Sequence, residues 1–314
     1  MSFRGIRFVP DGTRIDFVRQ RFIAFAVTGI LIAASLGSLA LQGLNLGIDF
    51  SGGILIEVAA DEPIDVAEMR RRIEPLQLGD VSLQHFGSPE QVLIGIGAQG
   101  SEEANAEALR AVRDVLGEEL EYRRTEQVGP KVGAELLRDG IIATVLAVLA
   151  IGAYVYFRFE WQFAVSALVA TAHDVLVTVG LYSVLQLEFS LTAVAAVLTL
   201  AGYSVNDTVV VFDRIRELLR RHKAVDMKWI INLSVNQTLS RTVMTSVTTL
   251  LAVVPLLLFG GSALFSFSLA IFWGIIIGTY SSVFVAGSLL LYMPPLQGNR
   301  APAAEGEARR ETAP

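Results

Sequence analysis

The chain has 314 residues, of which 53% are hydrophobic and only 18% are charged, and its mean hydropathy is +0.53. A water-soluble domain of this size needs more charge on its surface, so the composition places the chain in the membrane class. The net charge of −6 argues against nucleic acid as a partner, and the absence of cysteine excludes disulfides and thiolate metal sites.

Six apolar segments are each long enough to cross about 30 Å of hydrocarbon at about 1.5 Å per residue. We place them at 22–41, 140–157, 162–185, 190–212, 242–259 and 264–291. Lys and Arg are concentrated before the first segment and between the fourth and fifth, whereas the turns at 186–189 and 260–263 have neither. By the positive-inside rule, we expect a multi-pass membrane protein with both termini in the cytoplasm.

The polar stretch 42–139 follows the first segment, and we expect it to be an extracytoplasmic domain with its linker. Alternating and helical periodicities predict a strand at 52–59, a helix at 64–74, a hairpin of 80–87 and 90–97 joined through Ser88-Pro89, a helix at 101–117 and a strand at 119–128. The order β-α-β-β-α-β predicts a small ferredoxin-like α+β domain. Transmembrane helices 2–6 follow at 140–291. Residues 1–21 and 292–314 are expected to be cytoplasmic, the latter as a disordered tail.

Two acids lie inside apolar segments: Asp174, beside His173, and Asp207, beside Asn206. A charge at the bilayer centre costs about 2.5–3.5 kcal/mol on insertion scales, so such acids usually face the bundle interior and mark functional sites. Arg241 enters the fifth segment from the cytoplasmic side, and its long side chain can extend to the depth of Asp207. We therefore predict a proton relay formed by these five residues. A purely structural pairing of the charges is the alternative.

Small residues recur at every fourth position of the sixth segment: Ser266, Ala270, Gly274, Gly278, Ser282 and Ala286. Such a stripe lets another helix approach closely. We therefore assign four of its members to helix packing: Gly274, Gly278, Ser282 and Ala286. The third and fourth segments have polar faces of their own, formed by Ser166, Ala170, Asp174 and Thr178, and by Thr199, Tyr203, Asn206 and Asp207.

A carboxyl group shielded from water near an arginine can take a proton from one side of the membrane and release it to the other. A proton that crosses the membrane delivers about 2.3 kcal/mol per 100 mV. If the proton changes the pairing of Asp207 with Arg241, it can bias helix packing and move the external domain. The residues therefore favour proton-coupled work by a protein that is not an enzyme, with no catalytic residues, no cofactor and no metal.

Six motifs resemble, in order, those of the SecF branch of the SecD/SecF family, within the RND superfamily. They are "LGIDFSGG" (46–53), "VGPKVGAELLRDG" (128–140), "HDV" (173–175), "GYSVNDTVVVFDRIRE" (202–217), "SRTVMTS" (240–246) and "GIIIGTYSSVFVA" (274–286). In the first motif, we expect Gly47, Gly52 and Gly53 to shape the turn from membrane into strand.

The resemblance implies an accessory subunit of the Sec preprotein translocase in the bacterial plasma (inner) membrane. Such a subunit acts with SecD and the SecYEG channel to promote export of a preprotein, using the proton motive force. The resemblance also implies that Asp207 and Arg241 are the acid and the arginine of proton transport, and that Asp174 is the acid of the HD motif. Two other functions stay open: an RND-type exporter subunit for small molecules or lipids, and a membrane scaffold that transports nothing.

Overall fold

Long helices dominate the computed structural model, which describes residues 10, 13–222 and 225–296. The helices are α1 (Arg21–Leu41), α2 (Ile48–Ser51), α3 (Val66–Ile73), α4 (Glu102–Leu116), α5 (Pro130–Arg158), α6 (Trp161–Leu185), α7 (Leu191–Arg221), α8 (Met227–Phe259) and α9 (Gly261–Tyr280). A π-helical segment (Ser281–Ala286) continues α9, and the sixth span ends at Tyr292. Within these ranges, six spans are long and apolar enough to cross a membrane, which confirms the predicted fold class. Most of the predicted tail, from residue 297, and residues 1–9 of the predicted N-terminal segment lie outside the described residues.

α8 begins well before the apolar segment from which it was predicted. Asp226 caps its start by accepting a hydrogen bond from the backbone N of Lys228 at 3.0 Å. The first turns are amphipathic, because Ile230, Ile231 and Val235 are buried while Lys228 is not. A hydropathy pattern therefore locates only the uniformly apolar part of a longer helix.

The turn predicted at 260–263 contracts to a single residue. Gly260 ends α8, and α9 begins at Gly261, whose φ of +66° favours glycine. Two consecutive glycines allow the chain to reverse without a loop, which corrects the predicted turn.

Three spans form the inside of the helix bundle. Buried residues make up 56% of the most apolar window of α6, 44% of that of α7 and 61% of that of the sixth span. The corresponding fractions for α1, α5 and α8 are only 17%, 11% and 17%. The polar residues predicted to be functional thus lie mainly on the inner helices.

The α+β domain has strands β2 (Gly53–Ala59), β3 (Val81–Phe86), β4 (Ser88–Ile96) and β5 (Glu121–Val128). They form an antiparallel sheet in the order β3-β4-β2-β5, which is the ferredoxin-like order expected from the sequence. Its core contains Ile54, Ile56, Val92, Ile94 and Val112, none of them exposed. The hairpin turn is at Gly87, with φ +82°, and not at the predicted Ser88-Pro89, because Phe86 already pairs with Ser88.

Two short strands tie this domain to the bundle. β1 (Asn45–Leu46) pairs in parallel with β6 (Glu188–Phe189), which lies between α6 and α7. Glu188 lies over Gly47, where a Cβ atom would be only 2.6 Å from Oε1. Burial, and then the charge of Asp49, raise the pKa of Glu188, while Arg124 acts in the opposite direction. The ionised form of Glu188 at this junction is therefore destabilised relative to the protonated form.

Glycines make the second connection, between the sheet and α5. Gly52 and Gly53 have φ values of +72° and +126°, which other residues rarely adopt. A Cβ atom on Gly133 of α5 would lie 2.9 Å from the carbonyl oxygen of Phe50. These contacts hold the backbone of α2 directly against the start of α5.

Candidate functional site

Asp174 is the polar centre of the bundle and is only 2% exposed. Ser281 of the π-helical segment donates a hydrogen bond of 2.7 Å to its Oδ2. Ser204 of α7 donates a short hydrogen bond to the same oxygen. Nδ1 of the neighbouring His173 lies 2.9 Å from Oδ1. Three spans therefore meet at one carboxyl group whose two oxygens both have partners.

His173 uses only one of its ring nitrogens in this contact. Its Nε2 is buried and has no hydrogen-bond partner among the described residues. With a proton on Nδ1, the ring donates to the Asp174 carboxylate; with the proton on Nε2, it accepts from a protonated Asp174. The ring can therefore form this hydrogen bond whether the Asp174 carboxyl group is ionised or protonated.

The π-helical segment directs two adjacent serines toward different helices. Ser281 contacts Asp174 on α6, while Oγ of Ser282 lies 2.8 Å from Oγ1 of Thr208 on α7. Ser282 also donates to the carbonyl oxygen of Ser204 at 3.3 Å. A π-helical turn is wider than an α-helical one, and such turns are common at functional sites.

The small stripe of the sixth span lies against α7 and α6. A Cβ atom on Gly274 would overlap the side chain of Leu200, and one on Gly278 would lie 3.1 Å from Cβ of Ser204. At the far end of the stripe, Ala286 accepts a hydrogen bond of 2.5 Å from Oγ of Ser166. The stripe thus brings the backbone of the sixth span next to the residues around Asp174.

Asp207 is the second buried acid and has far fewer partners. It is 2% exposed, and among the described residues its carboxyl group accepts a single hydrogen bond, from Thr245 of α8, at 3.5 Å from Oδ1. Oδ2 is buried without a partner in the described part of the chain. The hydroxyl of Thr245 lies closer to the carbonyl oxygens of Arg241 and Thr242, at 3.1 and 2.9 Å. A charge on Asp207 therefore has little support from hydrogen bonds in this conformation.

Two of the predicted relay residues lie elsewhere. Asn206 and Arg241 are both exposed on the surface of the isolated chain. Adjacent helical residues point about 100° apart, so Asn206 faces outward where Asp207 faces inward. Within the ranges that the structure describes, no ion pair joins Arg241 to Asp207, although the charge of Arg241 is near enough to act on that carboxyl group. The direct pairing expected from the sequence is therefore absent.

Ser204 and Ser281 were not identified from the sequence. Ser204 is one helical turn before Asp207, and Ser281 precedes a member of the small stripe. Polar residues on the inner face of an apolar span were the available signal, but a lone serine there most often bonds its own backbone. Here each serine donates to an acid on another span, and Ser281 also contacts the carbonyl oxygen of Gly278 in its own span, at 3.1 Å.

Hydroxyl groups lie beside both buried acids. Among the described residues, no three acidic or histidine side chains are grouped as metal ligands. The two carboxyl groups belong to neighbouring inner helices, and Ser204 and Thr208 lie on α7 on either side of Asp207 in the sequence. Hydroxyl groups both donate and accept, so they can relay protons between acids when the helices shift.

Comparison with known families agrees with this architecture. A family model described as "Protein export membrane protein SecD/SecF, C-terminal" matches residues 108–295, and the "SecD/SecF GG Motif" matches residues 37–64. The protein translocase subunit SecF of Magnetococcus marinus is 48% identical over 306 residues, which cover 96% of this chain and 97% of that protein. The SecF of Cereibacter sphaeroides is 43% identical over 303 residues, covering 93% of each.

Solved structures give the same result. SecDF of Thermus thermophilus, described as a translocon-associated membrane protein, superposes with a TM-score of 0.80 and 38% identity over 90% of this chain. A second SecDF structure, in a super-membrane-facing form, gives a TM-score of 0.65 and 36% identity. This chain spans only 39% of the first SecDF chain. The chain belongs to the SecD/SecF family, as a member of its SecF group of protein translocase subunits.

Proposed function

We propose that the protein is a proton-coupled subunit that acts with SecD to promote preprotein export through the SecYEG channel. It would reside in the bacterial inner membrane, with both termini cytoplasmic and the α+β domain outside. The SecF relatives and the distribution of Lys and Arg along the chain support this placement.

The observation that carries the proposal is the poor support of Asp207. Its Oδ2 has no partner among the described residues, and it is shielded from water. An unpaired buried charge is costly, so binding a proton or moving a donor toward Asp207 would lower the free energy. Protonation is thereby linked to the packing of α7 against α8. Asp174, on the neighbouring helix α6 and held by Ser204 and Ser281, is then the second proton site.

The outer face of α7 and α8 supports a membrane partner. Asn206 on α7 and Arg241 on α8 are exposed on the isolated chain. Polar side chains within a span rarely face lipid, because hydrocarbon offers them no hydrogen-bond partner. We assign this face to SecD. When SecD covers it, Arg241 and Asn206 would be buried close to Asp207, and the three residues would belong to one path. The predicted relay would then be completed by the complex.

The α+β domain would contact the preprotein. β3 and β5 are the edges of its sheet. β5 is protected by charged side chains, including the Arg124–Glu126 ion pair at 2.6 Å. β3 borders a cavity of about 870 Å³ between the sheet and the helices. An extended segment of preprotein could pair with the free edge of β3.

The test is translocation in proteoliposomes that contain the full chain, SecD, SecYEG and an imposed proton gradient. Asp207→Asn is expected to abolish the stimulation by the gradient while co-purification with SecD is unchanged. Asp139→Asn, at an exposed acid, is the matched control. Full stimulation in Asp207→Asn contradicts the proposal. If Asp207→Asn loses both co-purification with SecD and stimulation by the gradient, the scaffold function is favoured. Efflux of hydrophobic compounds driven by the gradient in the absence of preprotein favours the exporter function.

A further inference from the structure

A charged cavity lies where α5 and α7 end, away from the proposed proton path. Its volume is about 440 Å³. It is lined by Arg158, Asp213, Arg216, Glu217, Arg220 and Arg221. Four arginines against two acids leave the cavity positive, and the carbonyl ends of the two helices offset only part of that charge.

The two acids are already engaged by arginines. Glu217 pairs with Arg221 at 2.6 Å and also with Arg214, and Asp213 pairs more loosely with Arg158 at 3.6 Å. Arg216 and Arg220 have no carboxylate partner within the described residues. Two guanidinium groups are therefore available to an anion from outside the chain.

One aromatic ring holds part of the cluster in place. The guanidinium groups of Arg158 and Arg216 lie 5.1 and 5.8 Å from the ring centroid of Phe159. Arg216 also donates a hydrogen bond of 3.3 Å to the carbonyl oxygen of Arg158. The positions of Arg158 and Arg216 are thus restricted by contacts within the chain, which lowers the entropy cost of binding a ligand there.

An apolar strip leads away from the cavity along α5. Tyr154, one helical turn before Arg158 and on the same face of α5, is 58% exposed, and Ile151, a further turn along that face, is partly exposed. Trp161, at the start of α6, is 48% exposed. Aromatic residues next to arginines at the end of a span mark the depth of phospholipid headgroups.

We propose that this cavity binds one anionic phospholipid of the bilayer. The phosphate and any other acidic group of the headgroup would bind Arg216 and Arg220, while the acyl chains would lie along Tyr154 and Ile151. A soluble anion would contact the arginines but not the apolar strip. An acidic protein would contact the arginines from outside the membrane and would not contact apolar residues further along the span. The combination of fixed cations and a lipid-facing strip favours a membrane lipid.

Native mass spectrometry of the detergent-purified full chain tests this proposal. The probes are phosphatidylglycerol and phosphatidylcholine with identical acyl chains, with inorganic phosphate as a separate arm. We expect preferential retention of one phosphatidylglycerol. The double substitution Arg216→Gln/Arg220→Gln should weaken its binding about 25-fold, from about fivefold per arginine. Arg138→Gln, at an exposed arginine near the other end of α5, is the matched control and should have no effect.

Two further variants separate charge from fold. Asp213→Asn should strengthen phosphatidylglycerol binding severalfold, since it removes a repelling carboxylate. Arg216→Lys/Arg220→Lys should keep most of the binding, because the positive charge remains. Equal retention of the two lipids, equal binding by the Gln double variant, or displacement of phosphatidylglycerol by millimolar phosphate would overturn the proposal.

Discussion

Oγ of Ser281 lies 2.7 Å from Oδ2 of Asp174, and this hydrogen bond joins the sixth span to α6 at the middle of the bundle. The same oxygen accepts a hydrogen bond from Ser204 of α7. Asp174 therefore connects three spans through hydrogen bonds and is also a candidate proton site. Removing the hydroxyl group of one serine tests the structural contribution of these hydrogen bonds without removing the carboxyl group.

Ser281→Ala is expected to destabilise the protein by about 1–3 kcal/mol, the usual range for a buried hydrogen bond to an ionisable group. Ser268→Ala is the matched control. Ser268 is also buried in the sixth span, but its Oγ has no partner in the described part of the chain. Thermal unfolding in detergent should show a lower midpoint for Ser281→Ala only. Equal shifts for the two variants would mean that the contact with Asp174 contributes nothing specific.

α1 and α6 cross closely at Gly180. A Cβ atom there would lie 2.9 Å from Cα of Ser35, and one turn further Ser38 and Ser183 share a hydrogen bond of 2.8 Å. Gly180→Val is expected to cost about 1–3 kcal/mol through overpacking. Gly29→Val has the same change in helix propensity, but Gly29 has no neighbour within 4 Å of its Cβ position, so it should be tolerated. Thermal unfolding of the two variants makes the comparison.

Glu188 predicts a pH dependence of the domain junction. Its pKa in the folded protein is raised above the ordinary 4.5 by burial and by Asp49. An acid with a raised folded pKa contributes most to stability when protonated, and this contribution is lost as the pH rises through the folded pKa. Glu188→Gln should therefore stabilise the protein relative to wild type at about pH 8, with the difference vanishing at about pH 4. Thermal unfolding of both proteins at the two pH values checks this; a constant difference would contradict it.

The proposed SecD face can be tested with spin labels, because the chain has no cysteine of its own. A label at Asn206→Cys is expected to be mobile in the chain alone and immobilised when SecD is added. A label at Leu149→Cys, on the exposed surface of α5, should stay mobile in both samples. Electron paramagnetic resonance spectra report the mobility. Immobilisation at neither position would place the partner elsewhere, and immobilisation at both would mean that the effect is not specific to this face.

Local signals made the α+β domain predictable. Asp65 accepts hydrogen bonds from the backbone N of Ala67 and of Glu68, at 2.8 and 3.2 Å, and Ser101 caps α4. Strand alternation and these caps are short-range, so the order of elements could be derived from the sequence. The hairpin turn was misplaced by one residue because Gly87 alone supplies the required backbone conformation.

The membrane site was predictable in its acids but not in their partners. Burial of Asp174 and Asp207 follows from the cost of charge in hydrocarbon. A strict fourth-position stripe predicts the direction of Ser282 but not that of Ser281, because the π-helical segment changes the angular spacing. The outward direction of Asn206 and Arg241 depends on the packing of α7 and α8, which periodicity alone does not determine.

Difference infrared spectroscopy of the SecD-bound chain, with protonation changed by a pH jump, tests the central claim most directly. We expect a carboxylic acid C=O band that disappears on deprotonation, is absent from Asp207→Asn, and is retained in the Asp139→Asn control. An unchanged band in Asp207→Asn would show that Asp207 does not exchange a proton, and would contradict the account.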